Sequence, residues 1–567
     1  MLRQQETRAH PEWATEESIN LLRKNNYFLE DEDSRTMYLR VVNHLSNYLP
    51  DTMDKDLIAD KWFKYIWNNW LCPSTPVLCN VGTDRGMPIA CFGGKKEDSM
   101  TSIFDHVKET ALLTKHGGGT SGSWDKVRGR GEPISKGGYS QGTIPFLKVL
   151  DSTIASSQQA NIRRGAYAAY MPITHKDILE FITIREPVGD LNSKCTNVGF
   201  HHGVTIGDDF MIKLKEGNPY YRTVWAKLLK QRKKLGEPYL MFYDTVNRAN
   251  SDCYKKRKLK VNASNLCSEI CLFSDSDHTF VCCLSSLNLF KYDEWKDEPD
   301  FLYYTLLFMD CVMEDFITNA SDIDGFENAV RYAKKFRSIG IGVLGFHSLL
   351  QSKLIPFISI KSRYLINEIG KKLKTELDEA NIRLGVELGI PEGCDTTRCS
   401  HVTAIAPTSS NSIISGQMSP GIEPYNSNIF TQETSASTFI SKNRFLEQLL
   451  IDKYPEMNND DIWKQIAIDY QGSVQSLEFL TDEEKQVFLT AFEINQKELI
   501  INASIWQKYI DQGISLNLFF ADSVDMKYFS EAHVLAWEVG LKSLYYVRST
   551  SASKLFINQE GCTMCQS

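Results

Sequence analysis

Asn265, Cys267 and Glu269 spell N-x-C-x-E, an amide, a thiol and a carboxylate at alternate positions. In an extended segment that alternation sends all three to one face. Aimed at one point, they suit thiol chemistry on a polar substrate, with the carboxylate as general base. Cys282 follows closely, in VCCLSSLNL. Near the C-terminus Cys562 and Cys565 form C-x-x-C. Two thiols at this spacing form a disulfide and exchange it by thiolate attack, so on a mobile tail they read as a redox shuttle. A zinc site would need a second pair, and the sequence offers none there. Tyr545 and Tyr546 are adjacent in LKSLYYVRS. In a strand their side chains leave on opposite faces, and packing alone accounts for them. Stacked phenols relaying an electron coupled to a proton are the alternative, and sequence does not separate the two.

Other constellations have plainer readings. Core filling is the default for each of the 14 cysteines. Cys394, Cys399 and His401 offer three zinc-type ligands, but C-x4-C-x-H is not a standard knuckle and no fourth ligand is near. Gly340, Gly342 and Gly345 give G-x-G-x-x-G between a strand and a helix, the local context of a dinucleotide fingerprint. The acid required about 20 residues on is missing from SIKSRYL, so tight packing at a strand–helix corner is expected, with a nicotinamide site as the alternative. The basic run KKRKLK at 255–260 reads as a solvated face that could also gather anions. PTSSNS at 407–412 follows the strand-like VTAIA and is expected to open a helix at Ile413. Hydroxyls and N–H groups there suit either phosphate or ordinary capping.

The elements that must position these residues alternate between strand and helix. Residues 15–70 are helical, with Tyr38, Val41, Val42, Leu45 and Leu49 at helical spacing. The Gly-dense stretch 117–145 reads as loop, unable to build a regular sheet. Strand 166–173 precedes a helix at 175–185 with Thr174 as its cap. Residues 337–350 read strand, turn, helix, and a long amphipathic helix through Ile366 and Leu384 stops before Gly389. Residues 402–406 are a short strand. Such alternation suggests βαβ units and a mainly parallel α/β sheet.

Composition bounds the rest. The 567 residues are 42% hydrophobic and 24% charged, with a net charge of −8, which excludes a disordered chain and gives no reason to expect a nucleic-acid coat. No apolar run reaches the ~18 residues of a membrane span. The polar N-terminus MLRQQETRAHPEW lacks a signal-peptide core, so a cytoplasmic protein of a bacterium or a bacterial host cell is expected.

NLCSE, CCLSSLNL, PTSSNSIISGQMSPGIEPYNSN, LYYVRS and the terminal C-x-x-C occur in that order. Together they resemble the large, catalytic subunit of class I ribonucleotide reductase, over nearly the whole chain from about Leu71. The resemblance implies a ten-stranded α/β barrel over 71–548 with a central finger loop. A helical region at 1–70 precedes it, without the family's ATP-cone, and a redox-active tail at 549–567 follows. It implies that Cys267 is the thiyl radical that takes the substrate's 3′ hydrogen, Glu269 the acceptor of the 3′ hydroxyl proton, and Asn265 a hydrogen-bond partner of the substrate. Cys91 and Cys282 become the reducing dithiol, and the neighbouring Cys283 is not given that role. Tyr545 and Tyr546 carry the radical from a metal-containing small subunit. Cys562 and Cys565 reduce the Cys91–Cys282 disulfide and are themselves reduced by thioredoxin or glutaredoxin.

The same resemblance places Thr75, Ala90, Thr408, Ser409, Ser410 and Asn411 around the substrate. Asp98, Ser99, Arg128, Gln159, Asn161, Arg163 and Arg164 go to a specificity site for dTTP, dGTP, dATP or ATP at a homodimer interface. No cofactor or metal is expected in the chain itself. Ala90 stands where many members have Ser, and Ser409 where many have Glu. The tyrosine pair favours class I over the cobalamin-dependent class, and no glycyl-radical motif is seen. Two other readings compete: a nicotinamide-dependent oxidoreductase using Gly340 to Gly345, and a zinc-stabilised assembly protein.

Overall fold

A computed structural model describes the chain except residues 1, 90, 136, 158–164, 187–198, 435–436, 470 and 551–567. After a one-turn helix at Leu2–Gln5, three longer helices open the fold, Glu16–Lys24, Ser34–Ser46 and Lys55–Trp67. Asp33 and Thr36 form a capping box that starts the second. Val41, Val42, Leu45, Trp62 and Phe63 point inward and share one core with the strands and helices of the barrel, while Leu446, Trp463 and Phe488 belong to a smaller, separate one. Trp62 Nε1 donates to Tyr304 O at 2.8 Å, tying these helices to the buried helix Phe301–Ala320.

The strands are β1 (Leu71–Pro73), β2 (Cys91–Lys95), β3 (Gly119–Ser123), β4 (Ala166–Pro172), β5 (His201–Ile206), β6 (Tyr239–Phe242), β7 (Phe280–Asn288) and β8 (Ile339–Leu344). β2 to β6 lie side by side and parallel. β7 pairs β2 antiparallel and carries β8 in parallel on its other edge. Beyond β8 the chain bridges in parallel from Ile341 to Thr403 and from Ile405 to Ile514. Tyr545 N then donates to Leu516 O at 2.9 Å, and Ser543–Leu544 pairs β6 antiparallel. The circuit therefore returns to its start. Five parallel positions face five others across two antiparallel seams, giving the ten-stranded α/β barrel expected from the sequence. Closure leaves no open edge within that ring.

The structure corrects several local expectations. The Gly-dense stretch supplies β3, a barrel strand. A Cβ at Gly122 would sit 2.3 Å from Tyr167 Oη and 2.6 Å from Lys96 Nζ, so the missing side chain is what lets those groups pack there. The expected helix at 175–185 shrinks to Ile178–Ile182, because Asp177 spends its carboxylate on Arg130 N and Thr143 N of the preceding loop. The helix after VTAIA starts at Ser409, not Ile413. Gly340 and Gly342 lie within β8, where a Cβ at Gly342 would come 2.4 Å from Ala404 O. They serve strand packing and open no dinucleotide site. Among the described residues no helix is long and apolar enough to cross a membrane.

Candidate active site in the barrel

Between β6 and β7 the segment 257–279 has no helix, and its tip enters the barrel. Tyr170 Oη on β4 donates to Asn265 O at 2.7 Å, while on the opposite wall Gly513 N donates to Glu269 O. Asn265, Cys267 and Glu269 are all buried. Asn265 and Glu269 meet on either side of Cys267 through a turn, not through an extended strand: Ser268 adopts φ 67°, a left-handed conformation that reverses the chain. Asn265 Nδ2 donates to Glu269 Oε1 at 3.0 Å and reaches Cys91 Sγ at 3.6 Å. Ser515 Oγ lies 2.6 Å from Cys267 O and 2.9 Å from Glu269 Oε2, so its single proton serves one of them at a time. Burial pushes the Glu269 carboxyl up to about 7, against the hydrogen bonds from its own backbone, Ser515 and Asn265. A carboxyl held there can take a proton at neutral pH.

Cys91 and Cys282 are direct register partners across the β2–β7 seam. Antiparallel partners stand ~4.5–5.5 Å apart at Cα, inside the range a disulfide spans. Gln512 Nε2 reaches Cys282 Sγ at 3.6 Å and also holds Ile339 O. Burial raises the Cys282 thiol well above its ordinary value, partly offset by Gln512. Cys283, one residue on, leaves β7 on the opposite face, as strand alternation requires.

Tyr545 and Tyr546 fall between two short strands, and their rings do not part to opposite faces as a continuous strand would send them. Their centroids lie 4.3 Å apart at 54°, and Tyr239 on β6 packs on both at 4.8 and 5.0 Å.

The segments assigned to substrate also meet. Asn411 Nδ2 donates to Pro73 O at 3.2 Å. Thr75 opens the helix Thr75–Asn80, and its Oγ1 shares a hydrogen bond with Tyr27 Oη. Thr408 caps Ser409–Ile414 at φ 52° and accepts from Gly421 N. Ser409 is exposed, and Ser410 and Asn411 are buried. On the outside of the barrel, Arg128 Nε donates to Asp98 Oδ2 at 2.6 Å, and Ser99 caps the helix Met100–Lys115. Ala90, Gln159, Asn161, Arg163, Arg164, Cys562 and Cys565 lie outside the described residues.

The competing sites do not assemble in the same way. Among the described residues no group of three His, Cys, Asp or Glu side chains is arranged to hold a metal; His401 Nε2 bonds Asn250 Oδ1 instead. Lys256 and Arg257 of the basic run pair with Asp395. A cavity of about 620 Å³ lies between Asn250, Cys253, Lys374, Asp395 and Lys542, and neither Cys267 nor Cys282 lines it. Sequence reasoning missed Tyr170, Gln512, Ser515 and Tyr239. None was singled out by type or spacing, and only the closure of the barrel brings them to the thiols and phenols.

Comparison with known proteins agrees with this geometry. The family described as "Ribonucleotide reductase, barrel domain" matches residues 89–222, 218–397 and 392–547. The "Putative ribonucleoside-diphosphate reductase large subunit" of Frog virus 3 (isolate Goorha) is 37% identical over 541 residues, covering 90% of this chain and 93% of that protein. The "Ribonucleoside-diphosphate reductase large subunit" of Invertebrate iridescent virus 3 is 34% identical, covering 93% and 92%. Among solved structures, the "Actinobacillus ureae class Id ribonucleotide reductase alpha subunit" superposes with a TM-score of 0.87 at 37% identity, over 97% of this chain and 100% of that one. With its closed ten-stranded barrel and thiol-bearing inner loop, the chain belongs to the ribonucleotide reductase large-subunit family.

Proposed function

We propose that the chain is the catalytic subunit of a ribonucleoside-diphosphate reductase, making 2′-deoxyribonucleotides for DNA synthesis by thiyl-radical chemistry. The observation that carries this reading is the meeting of Asn265, Glu269, Cys91 and Cys282 around the buried Cys267 loop. Cys267, as a thiyl radical, takes the 3′ hydrogen of the substrate. Glu269 takes the 3′ hydroxyl proton, for which burial has poised it, and Asn265 orients the sugar. Cys91 and Cys282 supply two electrons and close to a disulfide as the 2′ hydroxyl leaves as water. Thr75 and the 408–411 turn hold the diphosphate, beside Ala90. Tyr545 and Tyr546 bring the radical in from a metal-containing small subunit. Cys562 and Cys565 on the tail exchange with the oxidised pair and are recharged by thioredoxin or glutaredoxin.

Asp98, Ser99, Arg128, Gln159, Asn161, Arg163 and Arg164 form the effector site for dTTP, dGTP, dATP or ATP in a homodimer. The working compartment is the cytoplasm, and the division into helical region, barrel and tail belongs to the same proposal. Calorimetric titration with GDP, with and without dTTP, tests it without the partner subunit. Tighter GDP binding with dTTP present is expected, because linked sites couple reciprocally. Binding of NAD but not GDP would overturn the reading.

A further inference from the structure

A phenol that gives up an electron near neutral pH also gives up its proton, so Tyr546 needs somewhere to put one. Its Oη lies 3.2 Å from His201 Nδ1. The same nitrogen lies 2.6 Å from Glu237 Oε1. Arg185 Nη1 approaches His201 Nδ1 at 3.0 Å and is ion-paired with Glu237. The second carboxylate oxygen faces His202 Nδ1 and the His202 main-chain N–H, each at 3.3 Å. Glu237 is 1% exposed. Burial pushes its carboxyl up, but Arg185 and the two imidazoles win and hold it well below its ordinary range. The ionised oxygen makes His201 N–H its donor. Two further cations face the cluster. The Arg548 guanidinium lies 4.6 Å over the Tyr546 ring, and the buried Arg232 donates to Pro238 O, next to Glu237. Tyr239 closes the remaining side, stacked 6.0 Å from the His201 ring.

We propose that the His201–Glu237 pair takes the phenolic proton of Tyr546 when this tyrosine is oxidised, and returns it when the tyrosine is reduced. The inference rests on the reading of Tyr545 and Tyr546 as the radical relay. In the forward step the radical delivered by the small subunit takes one electron from Tyr546, and the O–H bond breaks. As it breaks, the Nδ1 proton of His201 moves to Glu237 Oε1 and the phenolic proton takes its place on Nδ1, so a pair that at rest holds one imidazole N–H and one carboxylate charge becomes a neutral imidazole and a neutral carboxyl. When the next electron reaches the Tyr546 radical, the proton goes back and the phenol is restored. His201 touches the reacting oxygen. Glu237 and Arg185 act through it, as positioning residues.

The test is GDP reduction by the full chain with its cognate small subunit and dTTP, in three variants. Tyr546→Phe is expected to give no turnover. His201→Ala is expected to bind GDP as the native protein does but to turn over ~100-fold more slowly, the low end of what a positioned base contributes. Added imidazole, entering the vacated space, should restore turnover in proportion to its unprotonated form. His201→Gln keeps a hydrogen-bonding side chain without a base, and should stay slow with GDP binding intact. Native turnover in either His201 variant overturns the inference, as does a loss in His201→Ala that imidazole does not restore. If Tyr546→Phe itself turns over normally, the relay reading falls, and with it this inference. That outcome is separate from one in which only the His201 variants behave as native.

Discussion

At the scale of single residues, the decisive quantity is the cost of charge in a buried site. Glu269 has no cation partner among its hydrogen bonds, which come from Asn265, Ser515 and its own backbone. Its carboxyl titrates near 7, so turnover should rise as pH rises through about 7, because only the ionised form accepts a proton. A pH–rate profile of the native enzyme checks this. Glu269→Gln should lower turnover by roughly 10²–10⁴ at pH 8. Stability has the opposite sign. A folded-state value above the ordinary 4.5 gives stability that is full below 4.5 and is lost as pH climbs through about 7. The Gln variant should therefore unfold at a higher temperature than the native protein at pH 8, and at a similar one at pH 5, with a difference of at most about 3 kcal/mol.

The pair Cys282 and Cys283 gives a second residue-scale prediction. Cys282 faces Cys91 across the seam, so Cys282→Ser should abolish turnover while Cys283→Ser retains it. Peptide mapping of enzyme oxidised by one turnover should find the Cys91–Cys282 disulfide. Types and spacing made Asn265, Cys267 and Glu269 legible in the sequence, although a turn at Ser268 replaces the expected extended segment. Ser515 and Gln512 were not legible, because no local pattern marks a hydroxyl or an amide that meets its thiol only across the barrel.

At the scale of elements, short strands with small residues build the ring, and that is where sequence reading failed most. The periodic helices were legible in their apolar spacing: Ile360–Leu388 holds Ile366, Ile369, Leu373, Leu377 and Leu384 on one buried face. β3 was not, because Gly and Ser carry no strand signal, and the space they leave is filled by Tyr167 and Lys96 from neighbouring chain. Glycines of β8 are spent similarly. Gly342→Ala must push a methyl group against Ala404 O, and should cost roughly 1–3 kcal/mol, read as a lower thermal midpoint with no change in NAD affinity. The proposed role of residues 549–567 is separable. With Cys562 and Cys565 both changed to Ser, turnover driven by thioredoxin or glutaredoxin should fall, and a small dithiol should restore it by reaching the buried pair directly. Full activity with the protein reductant would contradict the shuttle.

At the scale of the whole molecule, the proposed function needs three features to act together: Tyr545 and Tyr546, against which Tyr239 packs, as the electron path, the thiol loop inside the barrel, and Asp98 and Arg128 on its outside as part of the effector site. β2 joins two of them, since it carries Cys91 at its start and leads directly to Asp98 and Ser99 at the head of Met100–Lys115. The central claim is that Cys267 carries the chemistry on which all of this converges. The most direct measurement is conversion of GDP to its deoxy product by the chain with its small subunit and dTTP, comparing native protein with Cys267→Ser and recording GDP binding to both. Deoxy product from the native protein alone, with equal GDP binding, is the predicted result. Equal product from both proteins would contradict the account.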